Sequence, residues 1–245
     1  MNLVKHIPNT ITLASLCLGA AAVTCIFAGE TETAVYCVLA AAVCDFCDGF
    51  AARLLHAASP IGKELDSLAD MVSFGLVPAL MMFRMLQMAW SGCGLISGDP
   101  SAIGTTGWWL SLPAVLIAAA SALRLAKFNI DTRQATSFIG LPTPAATLLV
   151  CALFMTKTDS RVLWAGLLDS PCFLLICTAA IAWLLVSPIP MFSLKLKSFR
   201  IKDNLWIYTF LLISAGLLVW AGIPGFAAVI VLYIALSCLQ AVSAR

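Results

Sequence analysis

Long apolar runs alternate with short polar connections along this chain, and the lengths of the runs decide its class. A helix needs about 20 mostly apolar residues, at ~1.5 Å of rise each, to cross a bilayer. On that measure a first helix covers about Ile11 to Phe27, entered through Pro8-Asn9-Thr10, where Asn or Thr can cap it. A turn at Gly29-Glu30-Thr31-Glu32 leads to a second helix from about Thr33 to His56. Ser59 as N-cap and Pro60 in the first turn start a third, which continues through Met71 to about Gln87 with a kink expected at Pro78. A fourth spans about Trp108 to Lys127, with Asn129 just past its end, and a short fifth spans about Pro142 to Met155. The sixth is about Pro171 to Val186, and the last two are about Asn204 to Ala221 and Pro224 to Ala241. The pattern predicts an all-α, polytopic membrane bundle of about eight transmembrane helices, built as one domain over residues 1–245.

Composition agrees with the pattern. Sixty-two per cent of the residues are hydrophobic and 11% charged, and the mean hydropathy is +1.01. These values exclude a soluble globular domain. The net charge of +2 gives no footprint for nucleic acid. Ten cysteines fall mainly inside apolar runs, where a free thiol packs as a small hydrophobe. Cys44 and Cys47 form a C-x-x-C, but no second pair completes a zinc site, and packing is the simpler role. Trp108, Trp109, Trp206 and Trp220 lie near helix ends, as interfacial aromatics do.

The distribution of charge sets an orientation. With eight spans, one side holds Lys5, Arg53, Lys63, Arg124, Lys127, Arg133, Lys195, Lys197, Arg200, Lys202 and Arg245. The other holds Arg84, Lys157 and Arg161. The positive-inside rule makes the first side cytoplasmic, with both termini on it. Short loops between the spans suit a bacterial inner membrane. The basic connection from Phe192 to Asp203 fits an ordinary cytosolic loop.

One stretch breaks the apolar pattern. Asp45-Phe-Cys-Asp48-Gly49-Phe-Ala-Ala52-Arg53 is followed after eight residues by Gly62-Lys-Glu-Leu-Asp66-Ser-Leu-Ala-Asp70. Carboxylates inside a membrane segment are costly and mark function. Asp45 and Asp48 are three apart and Asp66 and Asp70 four apart, so each pair shares a helix face. A short turn brings the pairs together, and four such charges repel unless a cation lies among them. All-oxygen donors suit Mg²⁺ or Mn²⁺. Residues alone therefore lead to metal-assisted phosphate chemistry near the cytoplasmic face.

These residues resemble the CDP-alcohol phosphotransferase signature, D-x-x-D-G-x-x-A-R-x8-G-x3-D-x3-D, at every fixed position. The resemblance implies that a CDP-linked lipid gives its phosphatidyl group to an alcohol while CMP leaves. It implies a two-metal site held by Asp45, Asp48, Asp66 and Asp70, with Asp70 as general base. It assigns Gly49, Ala52 and Gly62 to close approach of the nucleotide and Arg53 to its phosphates. Asn9 and Thr12, in Pro-Asn-x-x-Thr, resemble a family element near the nucleotide, though helix capping suits them equally. A homodimer and a catalytic core within about residues 1–150 are also implied, while the C-terminal helices over about 171–241 rest on hydropathy alone.

Three further stretches resemble the bacterial serine-using branch of that family: Asp66 to Ala79, Leu123 to Asn129 and Phe138 to Ala145. Lys127 departs from the arginine more usual there, keeping charge but losing the planar fork. The implied substrates are CDP-diacylglycerol and L-serine, drawn from a membrane of lipids, with phosphatidylserine and CMP as products. Arg124, Lys127, Asn129 and Ser73 are the candidates for holding serine. A sibling enzyme accepting glycerol 3-phosphate or inositol phosphate is one alternative. An ion-coupled transporter is another, although the acids cluster toward one face instead of the midplane.

Overall fold

The computed structural model describes residues 6–93, 105–130, 139–158, 164–191 and 205–243. Two antiparallel helices come first, α1 (Ile7–Ala28) and α2 (Thr31–Leu54). Next, α3 (Pro60–Asp70), a π-helical turn (Met71–Leu76) and α4 (Val77–Gly92) run on as one 33-residue rod. A second composite rod joins α5 (Thr105–Ser111), a 3-10 turn (Leu112–Ala114) and α6 (Val115–Ile130). The remaining helices are α7 (Thr143–Thr158), α8 (Pro171–Val186), α9 (Leu205–Ala221) and α10 (Gly225–Ser243). Among the described residues the sole β feature is an isolated bridge between Ile139 and Pro190. Ile7–Ala28, Thr31–Leu54, Pro60–Gly92 and Thr106–Ile130 are long and apolar enough to cross a membrane, and four shorter apolar helices accompany them. The chain is an all-helical, integral-membrane bundle.

Burial shows which rod is central. Sixty-one per cent of the apolar window of Pro60–Gly92 is buried, against 28% for α1 and for α2. Met81, Met82, Met85 and Leu86 of α4 are fully enclosed, in one core with Ile117, Leu174 and Val150. α1 packs mainly on α2 and also touches α3 and the π turn. Ser15 makes two of these joints. Its hydroxyl donates to the Ala41 carbonyl at 3.0 Å, and its own carbonyl accepts from the Ser73 hydroxyl at 3.1 Å. Gly19, one turn on, packs directly against Ser73, where a Cβ would collide with the serine side chain and backbone.

Several boundaries differ from the sequence expectation. α1 begins at Ile7 with His6 as N-cap and no capping side chain, so Asn9 and Thr10 lie inside the helix. Pro8 explains the earlier start, because its fixed φ and missing N–H suit a first turn. The connection to α2 contracts to Gly29 and Glu30, with Gly29 at φ +80° closing α1. α2 ends at Leu54, short of His56. α6 continues to Ile130 and takes Asn129 into its last turn. Ser59 caps α3 as expected, accepting from the Gly62 N–H at 3.1 Å. Lys157, in the last turn of α7, bonds Asp169 at 2.9 Å and the Leu168 carbonyl at 2.8 Å.

Pro78 produces a π turn just before α4. Proline has no N–H to give the carbonyl four residues back, which here belongs to Phe74. That carbonyl accepts from the Thr147 hydroxyl of α7 at 3.0 Å. The backbone is thus satisfied by a neighbouring helix, as π turns and prolines in membrane helices require.

Lys5, Asp99, Arg133, Phe138, Arg161, Lys195, Lys197, Arg200, Lys202, Asp203 and Arg245 lie outside the described residues. The expected orientation therefore rests on the sequence.

The tight joint at Gly19 yields a stability prediction. Gly19→Val should destabilise the bundle by about 1–3 kcal/mol through overpacking against Ser73. A thermal-unfolding midpoint unchanged from wild type in the same detergent would contradict the packing.

Candidate active site

The four aspartates come from two helices whose meeting is fixed locally. The end of α2 is closed by Leu55 N–H to the Ala51 carbonyl and Ala57 N–H to the Ala52 carbonyl, both at 2.9 Å. His56 adopts φ +48°, which reverses the chain before Ser59 and Pro60 start α3. One carboxylate oxygen each from Asp45, Asp48 and Asp66 then lie within 4.8 Å of one another. Asp70 stands beside Asp45, within side-chain hydrogen-bonding reach, and outside that group of three.

Asp48 is 5% exposed, and its Oδ2 has no hydrogen-bond partner. A buried carboxylate oxygen without a donor is costly. No Lys or Arg among the described residues pairs with the cluster, since the ion pair found there is Lys157–Asp169. Crowded oxygens and an orphaned acceptor fit a hard divalent cation. Asp45, Asp48 and Asp66 are the residues placed to hold one, with Asp70 adjacent.

Five of the six residues expected at the nucleotide come together. Asn9 and Thr12 of α1, Gly49 and Ala52 of α2 and Gly62 of α3 line one cleft of about 220 Å³ with Asp48 and Asp66. Gly49 has nothing within 4 Å of where a Cβ would be, so its smallness enlarges the cleft and relieves no clash. Gly62 has a different part. A Cβ there would press on Asn9 Oδ1 at 3.0 Å and Ser59 Oγ at 3.1 Å, so glycine lets α3 approach α1. Arg53 stands apart, exposed, with its Nε donating to the Gly49 carbonyl at 3.0 Å.

The four serine candidates separate. Arg124 is 8% exposed and donates from Nη1 to Thr143 Oγ1 at 3.2 Å, while its Nε has no partner. It lies within electrostatic reach of Asp70. Lys127 is exposed. Asn129 ties α6 to α3: its side-chain amide donates to Ser67 Oγ at 2.8 Å, and its carbonyl accepts from Lys63 Nζ at 3.1 Å. The end of α6 and the start of α3 therefore share one end of the bundle. Ser73 is fully buried and committed to Ser15.

Two residues gain a part that the sequence did not give them. Lys63 lines the cleft, and its ammonium also anchors Asn129. Its position next to Gly62, inside the spaced motif, was the available signal. Thr143 orients Arg124 from the first residue of α7, inside a stretch that carried the family resemblance.

Comparison with known proteins agrees with this geometry. The CDP-alcohol phosphatidyltransferase family profile matches residues 5–185. A CDP-diacylglycerol–serine O-phosphatidyltransferase of Mycobacterium leprae is 32% identical over 192 residues, covering 76% of this chain and 57% of the relative. Proteins of the same description from Bacillus subtilis and Helicobacter pylori are also similar. The first is 29% identical over 185 residues (76% of this chain, 89% of the relative) and the second 33% over 154 residues (61% and 58%). The chain spans 57–60% of the length of the mycobacterial relatives it matches. The profile runs from the start of α1 to the end of α8 and so takes in the whole aspartate cluster and its cleft, and on that extent the chain belongs to the CDP-alcohol phosphatidyltransferase family.

Proposed function

We propose that this chain transfers the phosphatidyl group of CDP-diacylglycerol to L-serine, giving phosphatidylserine and CMP. The observation that carries the proposal is the cleft that unites Asn9, Thr12, Gly49, Ala52 and Gly62 with two aspartates of the cluster. In this reading the cleft takes the nucleotide and Arg53 turns toward its phosphates. Asp45, Asp48, Asp66 and Asp70 hold Mg²⁺ or Mn²⁺, which when bound offsets charge on the phosphates and on the attacking and leaving oxygens. The serine hydroxyl becomes bonded to phosphorus, the bond from phosphorus to CMP breaks, and Asp70 takes the hydroxyl proton. What supports a separate part for Asp70 is its place beside Asp45 and outside the group of three.

Arg124 supplies the counter-charge for the serine carboxylate, whose desolvation would otherwise go uncompensated. Its support is a guanidinium nine-tenths buried, oriented by Thr143 and left with an unpaired Nε in reach of Asp70. Lys127 contributes from the surface, and Asn129 fixes the end of α6. The site faces the cytoplasm of a bacterial inner membrane, and the enzyme works as a homodimer.

Three outcomes are expected. Asp45→Asn, Asp48→Asn and Asp66→Asn should each lower metal-dependent CMP release roughly a hundredfold or more, about 2.7 kcal/mol in the barrier. Turnover undiminished by EDTA would overturn the metal assignment.

Asp70→Asn should lose turnover while still binding CDP-diacylglycerol. Arg53→Ala should instead weaken that binding by about 1.5–3 kcal/mol, the usual size of a charge-assisted contact. Equal losses of lipid-nucleotide affinity in the two variants would refute the division between them.

Arg124→Ala should raise the half-saturating serine concentration by at least about tenfold, or 1.4 kcal/mol. Affinity for CDP-diacylglycerol should change little, and Lys127→Ala should shift serine dependence less. Serine curves at saturating lipid decide this, and glycerol 3-phosphate outcompeting serine would reassign the acceptor.

A further inference from the structure

At the opposite end of the bundle a second pocket has no part in the chemistry above. It holds about 260 Å³ and lies among Ile26 of α1, Leu80, Phe83, Arg84 and Gln87 of α4, and Trp108 of α5. Arg84 is 18 residues along the central rod from Asp66, or ~27 Å at ~1.5 Å per residue. That distance is close to the ~30 Å hydrocarbon thickness of a bilayer. The pocket therefore sits at the membrane boundary remote from the aspartates.

Its polar content is small and oriented. Gln87 is 8% exposed, and its Oε1 accepts from Arg84 Nη1 at 3.3 Å. This bond holds a half-buried guanidinium against apolar walls. Among the described residues no carboxylate pairs with Arg84. Glu30 and Glu32 lie at the same end, in the α1–α2 connection and the first turn of α2, yet neither comes within ion-pair distance. The Trp108 ring meets Phe83 edge-on at 6.3 Å, and Trp109 at 5.1 Å. Trp108 is also 47% exposed, as a ring at the headgroup level would be.

A guanidinium that no carboxylate among the described residues pairs, set beside apolar walls, suits the headgroup of an anionic lipid. We propose that this pocket binds one anionic phospholipid from the leaflet opposite the aspartate cluster. The guanidinium holds the phosphate, for which its planar donors are well shaped. Acyl chain lies along Ile26, Leu80 and Phe83, and Trp108 covers the glycerol region.

The test uses the full chain purified in detergent, with phosphatidylglycerol and phosphatidylcholine added separately at equal concentration. Lipid retained on the protein is counted by native mass spectrometry, and the thermal-unfolding midpoint in the same detergent reports folding of every variant. Wild type should retain one more phosphatidylglycerol than Arg84→Gln, with affinity falling at least tenfold in the variant and CMP release maintained. Leu80→Trp keeps the charge and fills the space, and it should lose the lipid as well. Gly49→Leu, which obstructs the remote cleft, should retain it. Equal retention of phosphatidylcholine and phosphatidylglycerol by wild type would make Arg84 a water-solvated snorkelling residue and overturn the proposal. Loss of the lipid in Gly49→Leu, or equal retention by wild type and Arg84→Gln, would do the same.

Discussion

Mutual repulsion among carboxylates is the constraint on which the rest of this structure depends. Asp45, Asp48 and Asp66 bring oxygens within 4.8 Å of one another inside an apolar bundle, with Asp70 alongside. Left to themselves these groups would separate, because like charges a few ångströms apart repel. The surrounding helices prevent this. Ser15 joins α1 to α2 and to the π turn through backbone carbonyls, while Asn129 and Lys63 join α6 to α3. None of these joints uses a carboxylate, so the cluster keeps its oxygens for a ligand.

The framework also shows how a small set of side chains can do two jobs. Gly62 and Gly49 occupy the same cleft, yet one permits a helix contact and the other leaves space open. Family membership alone would give both the same description. The difference matters for substitution, because a side chain at Gly62 meets protein whereas one at Gly49 meets whatever enters the cleft. In the same way Thr143 is a helix-starting residue by position and an arginine-orienting residue by contact.

Much of this was legible in the sequence because the physics behind it is local. Hydropathy located each of the eight apolar runs that proved helical, and Ser59-Pro60 announced the start of α3 through capping chemistry. The paired aspartates were visible through helical spacing, and Ser59-Pro60 placed the turn between them. What stayed hidden depended on contacts between distant segments. The π turn needs Thr147, 73 residues from Phe74, to satisfy a carbonyl, and no window around Pro78 contains that threonine. Ser73 looked available from its place one turn beyond Asp70, but its hydroxyl is taken by Ser15, 58 residues earlier. The pocket at Arg84 also draws on segments far apart, and a lone arginine near a helix end gave no hint of it.

The π turn has a consequence for how the central rod is divided. A wider turn accommodates one residue more than an α-helix would over the same span, and each residue advances the helix by about 100°. Everything after the extra residue is therefore turned back by about 100° relative to an unbroken helix. In an unbroken helix Met85 would lie about 100° around the axis from Asp66, and the extra residue brings the two into line. One continuous segment can in this way carry the acids of its first half and the thioethers of its second half on the same side. Tightening Met71–Leu76 to an ordinary helix, with every residue kept, would swing the methionine stripe away from the line of the aspartates, so the width of that short stretch is itself a determinant of the site.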